Sequence, residues 1–167
     1  MRLNSRRKFL LGGFAGSVVL LSFNSELFGG VTMLDSMAVL QEDLFPQARG
    51  VPTKDQINAK AYLSLILNHT RISDTDKEFL RNGVKWLNED SISKYKKKYI
   101  KLNKAQRQII LNDISKTPWG ESFIEDVLRF IFEAMLGDPV YGVNKGESGW
   151  KWLEHTGGLP RPKAAYL

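Results

Sequence analysis

After about residue 53, apolar residues recur every three or four positions, which is the spacing of one face of an α-helix. This pattern predicts four helices, at about 54–68, 74–89, 104–115 and 121–137. Three of them begin with a side chain that can accept hydrogen bonds from the first helical N–H groups and have a polar partner three positions later. These pairs are Thr53 with Gln56, Ser73 with Asp76, and Asn103 with Gln106. We therefore expect an all-α fold, a small domain of about four to six helices with a long irregular C-terminal loop.

The fourth predicted helix is the most hydrophobic. Its apolar residues occupy nearly every face and are Phe123, Ile124, Val127, Leu128, Phe130, Ile131, Phe132, Met135 and Leu136. A helix of this kind lies at the centre of a domain or contacts a partner, and we expect it to form the core. The third helix is predicted to bury Ile109, Ile110 and Ile114 and to end at Pro118. Gly83 should weaken the middle of the second helix.

The first 30 residues differ from the rest of the chain. Residues 2–8 are basic and residues 9–23 are apolar and uncharged, which is the order of a signal peptide. The apolar run has 15 residues, against about 20 for a membrane-spanning helix. Its start resembles a twin-arginine export signal through Ser5, Arg6, Arg7, Phe9 and Leu10. We expect export to the periplasm by the twin-arginine translocase, with cleavage of residues 1–30 left open. The alternative is a membrane anchor with a chance arginine pair.

Half of the net charge of +6 belongs to this N-terminal segment. Residues 31–167, the predicted single domain, contain 20 basic and 17 acidic residues, an excess of +3 that gives no reason to expect a nucleic-acid partner. Six lysines lie in segment 91–104. This segment either contacts a polyanion or an anionic membrane, or forms a solvated helix. The spacing favours the second interpretation, with four residues facing inward: Ile92, Tyr95, Tyr99 and Leu102.

The residue types exclude several kinds of site. The chain has no cysteine, so disulfides, iron–sulfur ligation, thiolate zinc sites and covalent haem attachment are excluded. His69 and His155 lie far apart in sequence, and we expect no metal site. The acidic pairs, Glu89 with Asp90 and Glu125 with Asp126, are adjacent helical residues whose side chains diverge by about 100°. We therefore expect no catalytic site and no cofactor-binding site in this chain.

The C-terminal segment contains turn residues and two tryptophans. Asp138-Pro139-Val140-Tyr141-Gly142 is typical of a turn that follows a helix, with Gly137 as the helix cap. Trp150 and Trp152 have large rings that must be buried. They either fold back on the domain or anchor another protein.

These residues resemble a known family, subunit 3 (the small or gamma subunit) of membrane-bound gluconate 2-dehydrogenase and related FAD-dependent sugar dehydrogenases. The resemblance is carried by Phe132, by Asp138-Pro139-x-Tyr141-Gly142-x-Asn144, and by Gly149-Trp150. Leu44-Phe45-Pro46 is similar to the family's Leu-Ile-Pro motif. Val143 departs from the family pattern, which usually has glycine there. A valine has less backbone freedom at positive φ, so we expect a local difference in the turn.

The resemblance implies a non-catalytic accessory subunit of a periplasmic, membrane-associated complex. Its large subunit would be a flavoprotein of the glucose-methanol-choline type that holds FAD, and a cytochrome c subunit with haem would receive the electrons. The small subunit would carry the export signal for the flavoprotein and stabilise it. The residues expected at the partner interface are Phe132, Asp138, Pro139, Tyr141, Gly142, Asn144, Gly149, Trp150 and Trp152. The alternative is an exported or membrane-tethered helical binding protein without a dehydrogenase partner.

Overall fold

The computed structural model describes residues 32–45 and 48–165. The predicted export signal with Arg6 and Arg7 lies outside the described residues, and so does Pro46. The described residues form helices joined by turns, with no strand among them, which confirms the all-α prediction. The α-helices are α1 (Met33–Leu44), α2 (Lys54–Ile57), α3 (Ala59–Asn68), α4 (Asp74–Tyr95), α5 (Lys104–Ile114), α6 (Pro118–Leu136) and α7 (Ser148–Trp152). Short 3₁₀ turns cover Tyr99–Lys101, Pro139–Tyr141 and Lys145–Glu147.

Helix α1 was not among the predicted helices. It begins at a capping box in which the Thr32 hydroxyl accepts from the Asp35 N–H and the Asp35 carboxylate accepts from the Thr32 N–H. Met37 and Leu40 on its inner face are fully buried. The capping pair and this apolar spacing are both visible in the sequence, so the signal for α1 was present.

The first predicted helix is not continuous. Asn58 has φ 54°, in the left-handed region, and separates α2 from α3. Its side chain explains the break, because Asn58 Nδ2 donates to the carbonyl oxygen of Gly142 at 2.7 Å. Asparagine adopts the left-handed conformation more readily than most residues. The predicted span of 54–68 is therefore wrong at this one residue.

The second predicted helix is longer than expected, because α4 continues to Tyr95 before Lys96 ends it at φ 57°. The lysine-rich segment therefore combines the end of α4 with a 3₁₀ turn and is not a separate helix. Tyr99 and Leu102 are buried as predicted, whereas Ile92 is exposed.

Two predictions about α5 and α6 are wrong. Ile110 and Ile114 are buried, but Ile109 is 44% exposed and points away from the core. Pro118 does not end α5; it is the first residue of α6, where its missing N–H has no helical partner to lose. The preceding Thr117 caps α6 by accepting from the Gly120 N–H at 3.1 Å.

The core forms around α6, as predicted. Helices α1, α3, α4 and α7 all pack against it, and Phe123, Val127, Ala134 and Met135 are fully buried. None of the helices in the described part of the chain is long and apolar enough to span a membrane.

A buried polar cluster joins α1 to α5. The Asp43 carboxylate accepts from Arg107 Nε at 2.6 Å and from the Tyr99 hydroxyl at 2.8 Å. Burial and the hydrogen bond to Asp43 raise the pKa of Tyr99, which therefore remains a neutral donor. A buried carboxylate needs such partners to offset its lost hydration. The cluster holds the C-terminal end of α1, which leads into Phe45, in place.

Gly83 allows α4 to pack directly against the Phe123 ring of α6. A Cβ at this position would overlap the ring of Phe123. Alanine is the better helix former by about 1 kcal/mol, but overpacking a core costs about 1–3 kcal/mol. We therefore expect Gly83→Ala to lower the melting temperature, measured by circular dichroism. Gly158→Ala, which meets open space, is the control and should leave it unchanged. An unchanged value for Gly83→Ala would mean that moving the ring aside costs no more than the gain in helix propensity.

Candidate functional site

The C-terminal end of α6 is the starting point of the site. The last carbonyl groups of a helix have no partner within the helix and need others when they are buried. Trp150 Nε1 donates to the Leu136 oxygen at 2.7 Å, and Asn144 Nδ2 donates to the Gly137 oxygen at 3.0 Å. The segment that follows α6 thus folds back and supplies these donors itself.

Asn144 is the centre of this segment and is fully buried. Its Oδ1 accepts from the Gly149 N–H at 2.8 Å, and its own N–H donates to the Ile57 oxygen at 3.2 Å. Together with the bond from Asn58 to Gly142, this contact ties the α2–α3 break to the C-terminal loop. Asn144 was predicted at the partner interface, but the structure places it inside the chain.

The departure at Val143 is accommodated without strain. The positive φ values fall on its neighbours, 77° at Gly142 and 44° at Asn144. Val143 is not among the described residues with positive φ, and its side chain is fully buried. The expected backbone penalty for valine therefore does not arise here.

Trp150 follows the folding-back alternative. It is 6% exposed, and the guanidinium carbon of Arg161 lies 4.6 Å from the centre of its ring. Gly149 is needed beside it, because a Cβ there would overlap the carbonyl oxygen of Met135. Trp150 was predicted as a partner anchor, but its indole fixes the loop to α6 and offers a partner little surface.

Arg161 holds the two sides of the loop together. Its Nε donates to Asp138 Oδ2 at 2.7 Å and its Nη1 donates to Glu147 Oε1 at 2.9 Å. The hydrogen bond from Arg161, supported by the Val140 N–H, lowers the pKa of Asp138. The two carboxylates in turn raise the pKa of Arg161. Asp138 is thus part of an internal ion-pair network.

Two large apolar side chains among the predicted interface residues remain exposed, those of Phe132 and Trp152. Phe132 is 45% exposed and Trp152 is 39% exposed, and the ring of Phe45 packs edge-on against both, with centroid separations of 6.1 and 6.3 Å. Leu136, one helical turn after Phe132, is 43% exposed. We call Phe132, Leu136 and Trp152 the apolar patch.

Leu136 and Phe45 were not among the interface residues predicted from the sequence. Leu136 lies four residues after Phe132 in a predicted helix, so their shared face could have been identified. Phe45 lies in the Leu44-Phe45-Pro46 motif, but its contact with Trp152 spans more than 100 residues and is not visible in the sequence.

The remaining predicted interface residues shape the loop. Pro139 and Tyr141 form a partly buried 3₁₀ turn, and Gly142 is exposed at its end. Tyr141 packs against the hydrophobic core. These residues place the apolar patch by fixing the path of the loop.

The acidic pairs do not form a common site. Asp126 is ion-paired with Arg129 at 2.8 Å, and Glu89 lies 3.9 Å from Lys85. Burial raises the pKa of Asp90 and of Asp126. Within residues 32–45 and 48–165, no group of three or more His, Cys, Asp or Glu side chains is arranged to hold a metal ion.

Asn144 should be essential for stability. Asn144→Ala leaves the Gly149 N–H and the Gly137 carbonyl unpaired, so we expect the free energy of unfolding to fall by at least about 2 kcal/mol, measured by urea denaturation. Asn68→Ala is the control, because Asn68 is exposed and donates only to the Ser64 carbonyl; it should cost about 0.5 kcal/mol. Asn144→Gly retains the backbone freedom, and wild-type stability in that variant would show that the two hydrogen bonds contribute little.

Comparison with known proteins identifies the family of the chain. The family model described as gluconate 2-dehydrogenase subunit 3 matches residues 34–158, which include every helix described above except the first residue of α1. Searches of curated proteins and of solved structures found no match. The family match spans most of the chain and both ends of the Asn58–Gly142 contact, and the chain belongs to the gluconate 2-dehydrogenase subunit 3 family.

Proposed function

We propose that this chain is the non-catalytic small subunit of a periplasmic, membrane-associated, FAD-dependent dehydrogenase complex of the gluconate 2-dehydrogenase type. The apolar patch is the observation that carries the proposal. The family name describes a dehydrogenase subunit, and the patch gives such a subunit a surface with which to bind the flavoprotein.

The composition of the patch suits a protein interface. Its three large side chains are each 39% to 45% exposed, and two of them, Phe132 and Trp152, pack against one buried aromatic ring, that of Phe45. Contiguous exposed apolar surface marks interaction sites, and aromatic side chains are enriched among the residues that dominate binding energy. The residues beneath are fixed because Asn144 accepts from the Gly149 N–H and Trp150 Nε1 donates to the Leu136 oxygen, so little ordering entropy is lost when a partner binds.

The chemistry is assigned to other chains. FAD would belong to a glucose-methanol-choline-type flavoprotein, and haem to a cytochrome c subunit that accepts the electrons. This chain would contribute binding surface and, through Arg6 and Arg7, the signal that takes the flavoprotein through the twin-arginine translocase. The second candidate function is that of an exported or membrane-tethered binding protein without a dehydrogenase partner. Co-purification from a periplasmic or membrane extract separates the two, because only the first brings down a protein that contains FAD.

The role of the patch can be tested with two similar substitutions. Leu136→Ser should reduce the affinity for the flavoprotein by about tenfold or more, because a large apolar contact is replaced by a small polar one. Ile109→Ser is the control, since isoleucine is an isomer of leucine and the Ile109 side chain, on α5, is 44% exposed. It should retain wild-type affinity. Binding of the purified flavoprotein to each immobilised variant is the measurement, and equal losses in both would exclude the patch as the interface.

The escort role makes a separate prediction. Replacing both Arg6 and Arg7 by lysine retains the positive charge but removes the arginine pair, so this chain and its flavoprotein should both remain in the cytoplasm. Cell fractionation with immunodetection of each protein is the measurement. Lys8→Arg leaves the pair intact and should not alter export. If the flavoprotein still reaches the periplasm in the double variant, the escort role is excluded.

A further inference from the structure

A cavity of about 200 Å³ lies between α1 and the α2–α3 break. Its apolar lining residues are Ala38, Phe45, Ile57, Ala59 and Ile131. Phe45 is also the ring on which Phe132 and Trp152 of the apolar patch pack. The cavity and the patch are therefore neighbouring parts of one surface.

Gln41 lines this cavity and carries an unpaired donor. The residue is 6% exposed, and its Nε2 is buried without a hydrogen-bond partner in the described part of the chain. Buried amide donors without partners are rare in native proteins, because each forgoes the hydrogen bonds it makes in water. An acceptor from outside this chain would remove that penalty.

The cavity size restricts what can enter. Sites for small molecules and cofactors usually measure about 300–1,000 Å³, so this cavity is too small for a cofactor such as FAD. An apolar cavity of about 150 Å³ is enough for a benzene-sized group. The volume therefore fits one large apolar side chain.

The lysines at the rim do not require an anionic occupant. Lys54 is paired with Glu42 at 2.6 Å, and Lys60 is paired with Asp35 at 2.8 Å. Asp55 also lines the cavity, one residue after Lys54. Because both lysines already have carboxylate partners, the rim does not require a charged ligand. A backbone carbonyl is the neutral acceptor that accompanies every apolar side chain.

We propose that the cavity receives one apolar side chain of the flavoprotein, and that the buried Gln41 amide then turns toward the cavity so that its Nε2 donates to a backbone carbonyl of the same segment. This inference rests on the proposed function and adds a specific binding pocket to it. The partner segment covers the apolar patch and the cavity together, with Phe45 between them.

Gln41→Leu should have opposite effects on the free chain and on the complex. Removing an unpaired buried donor should raise the melting temperature of the free chain by a few degrees, whereas losing the donor to the partner should weaken binding of the flavoprotein by about tenfold. Flavoprotein purified from the wild-type complex is the probe, and its binding to the immobilised full-length variant is measured by interferometry. A purely structural role for Gln41 would not produce this combination.

Ala38→Leu tests the cavity itself by filling it. It should reduce the affinity for the flavoprotein by at least about tenfold while leaving the melting temperature of the free chain unchanged or raised. Ala105→Leu is the matched control, because Ala105 is exposed on α5 and does not line the cavity. It should bind as the wild type does.

The outcomes separate this proposal from the proposed function. Wild-type affinity in both Gln41→Leu and Ala38→Leu overturns the pocket but leaves the subunit role in place, and it would mean that water alone meets Gln41. A lower melting temperature for Gln41→Leu also overturns it, because Gln41 would then have a partner within the chain. A wild-type dimer that Ala38→Leu dissociates would assign the cavity to a second copy and overturn it as well. If the wild-type chain captures no flavoprotein, both proposals fail.

Discussion

The buried end of α6 constrains the rest of the structure most strongly. A central apolar helix buries its own terminus, and the carbonyl groups there must be paired by donors that come from outside the helix. Trp150 and Asn144 supply these donors, which brings the chain back across the helix end and requires Gly149 to pass close to Met135. The family motif residues are used in this return. The side chains that remain on the outside form the apolar patch. The need to pair the carbonyl groups at the end of α6 therefore determines both the path of the loop and the position of this patch.

The α2–α3 break extends that constraint to the first half of the chain. Asn58 and Asn144 both adopt left-handed conformations, and each forms a hydrogen bond to the other's segment. A continuous helix through residue 58 would remove the contact to Gly142. The break therefore interrupts the helix at one residue, and the hydrogen bond formed there fixes the position of the loop. Because Phe45, Ile57 and Ala59 line one cavity, this junction also determines the shape of the pocket beside the patch.

The sequence predicts local features of this fold well and long-range ones poorly. The caps at Thr53, Ser73 and Asn103 are confirmed because donor and acceptor lie within one helical turn. The break at Asn58 depends on a partner 84 residues away, which no local pattern reveals. Ile109 and Ile110 are equally apolar, yet only the packed helices decide which is buried. Asn144 and Trp150 were identified as important, but a motif does not distinguish residues that face a partner from residues that fix a loop. The exposed fractions in the structure make this distinction, because Asn144 and Trp150 are buried whereas Phe132 and Trp152 are exposed.

The contact between Asn58 and Gly142 also has a consequence for the order of folding. It joins segments 84 residues apart, and we expect a contact of such long range to form late because closing a long loop costs chain entropy before any contact is gained. The patch rests on this closure from both sides, through Phe45 before the break and through Trp152 after the loop. A nascent chain that has made only its first helices presents no such surface. A partner that binds the patch therefore binds only molecules whose two halves have already joined.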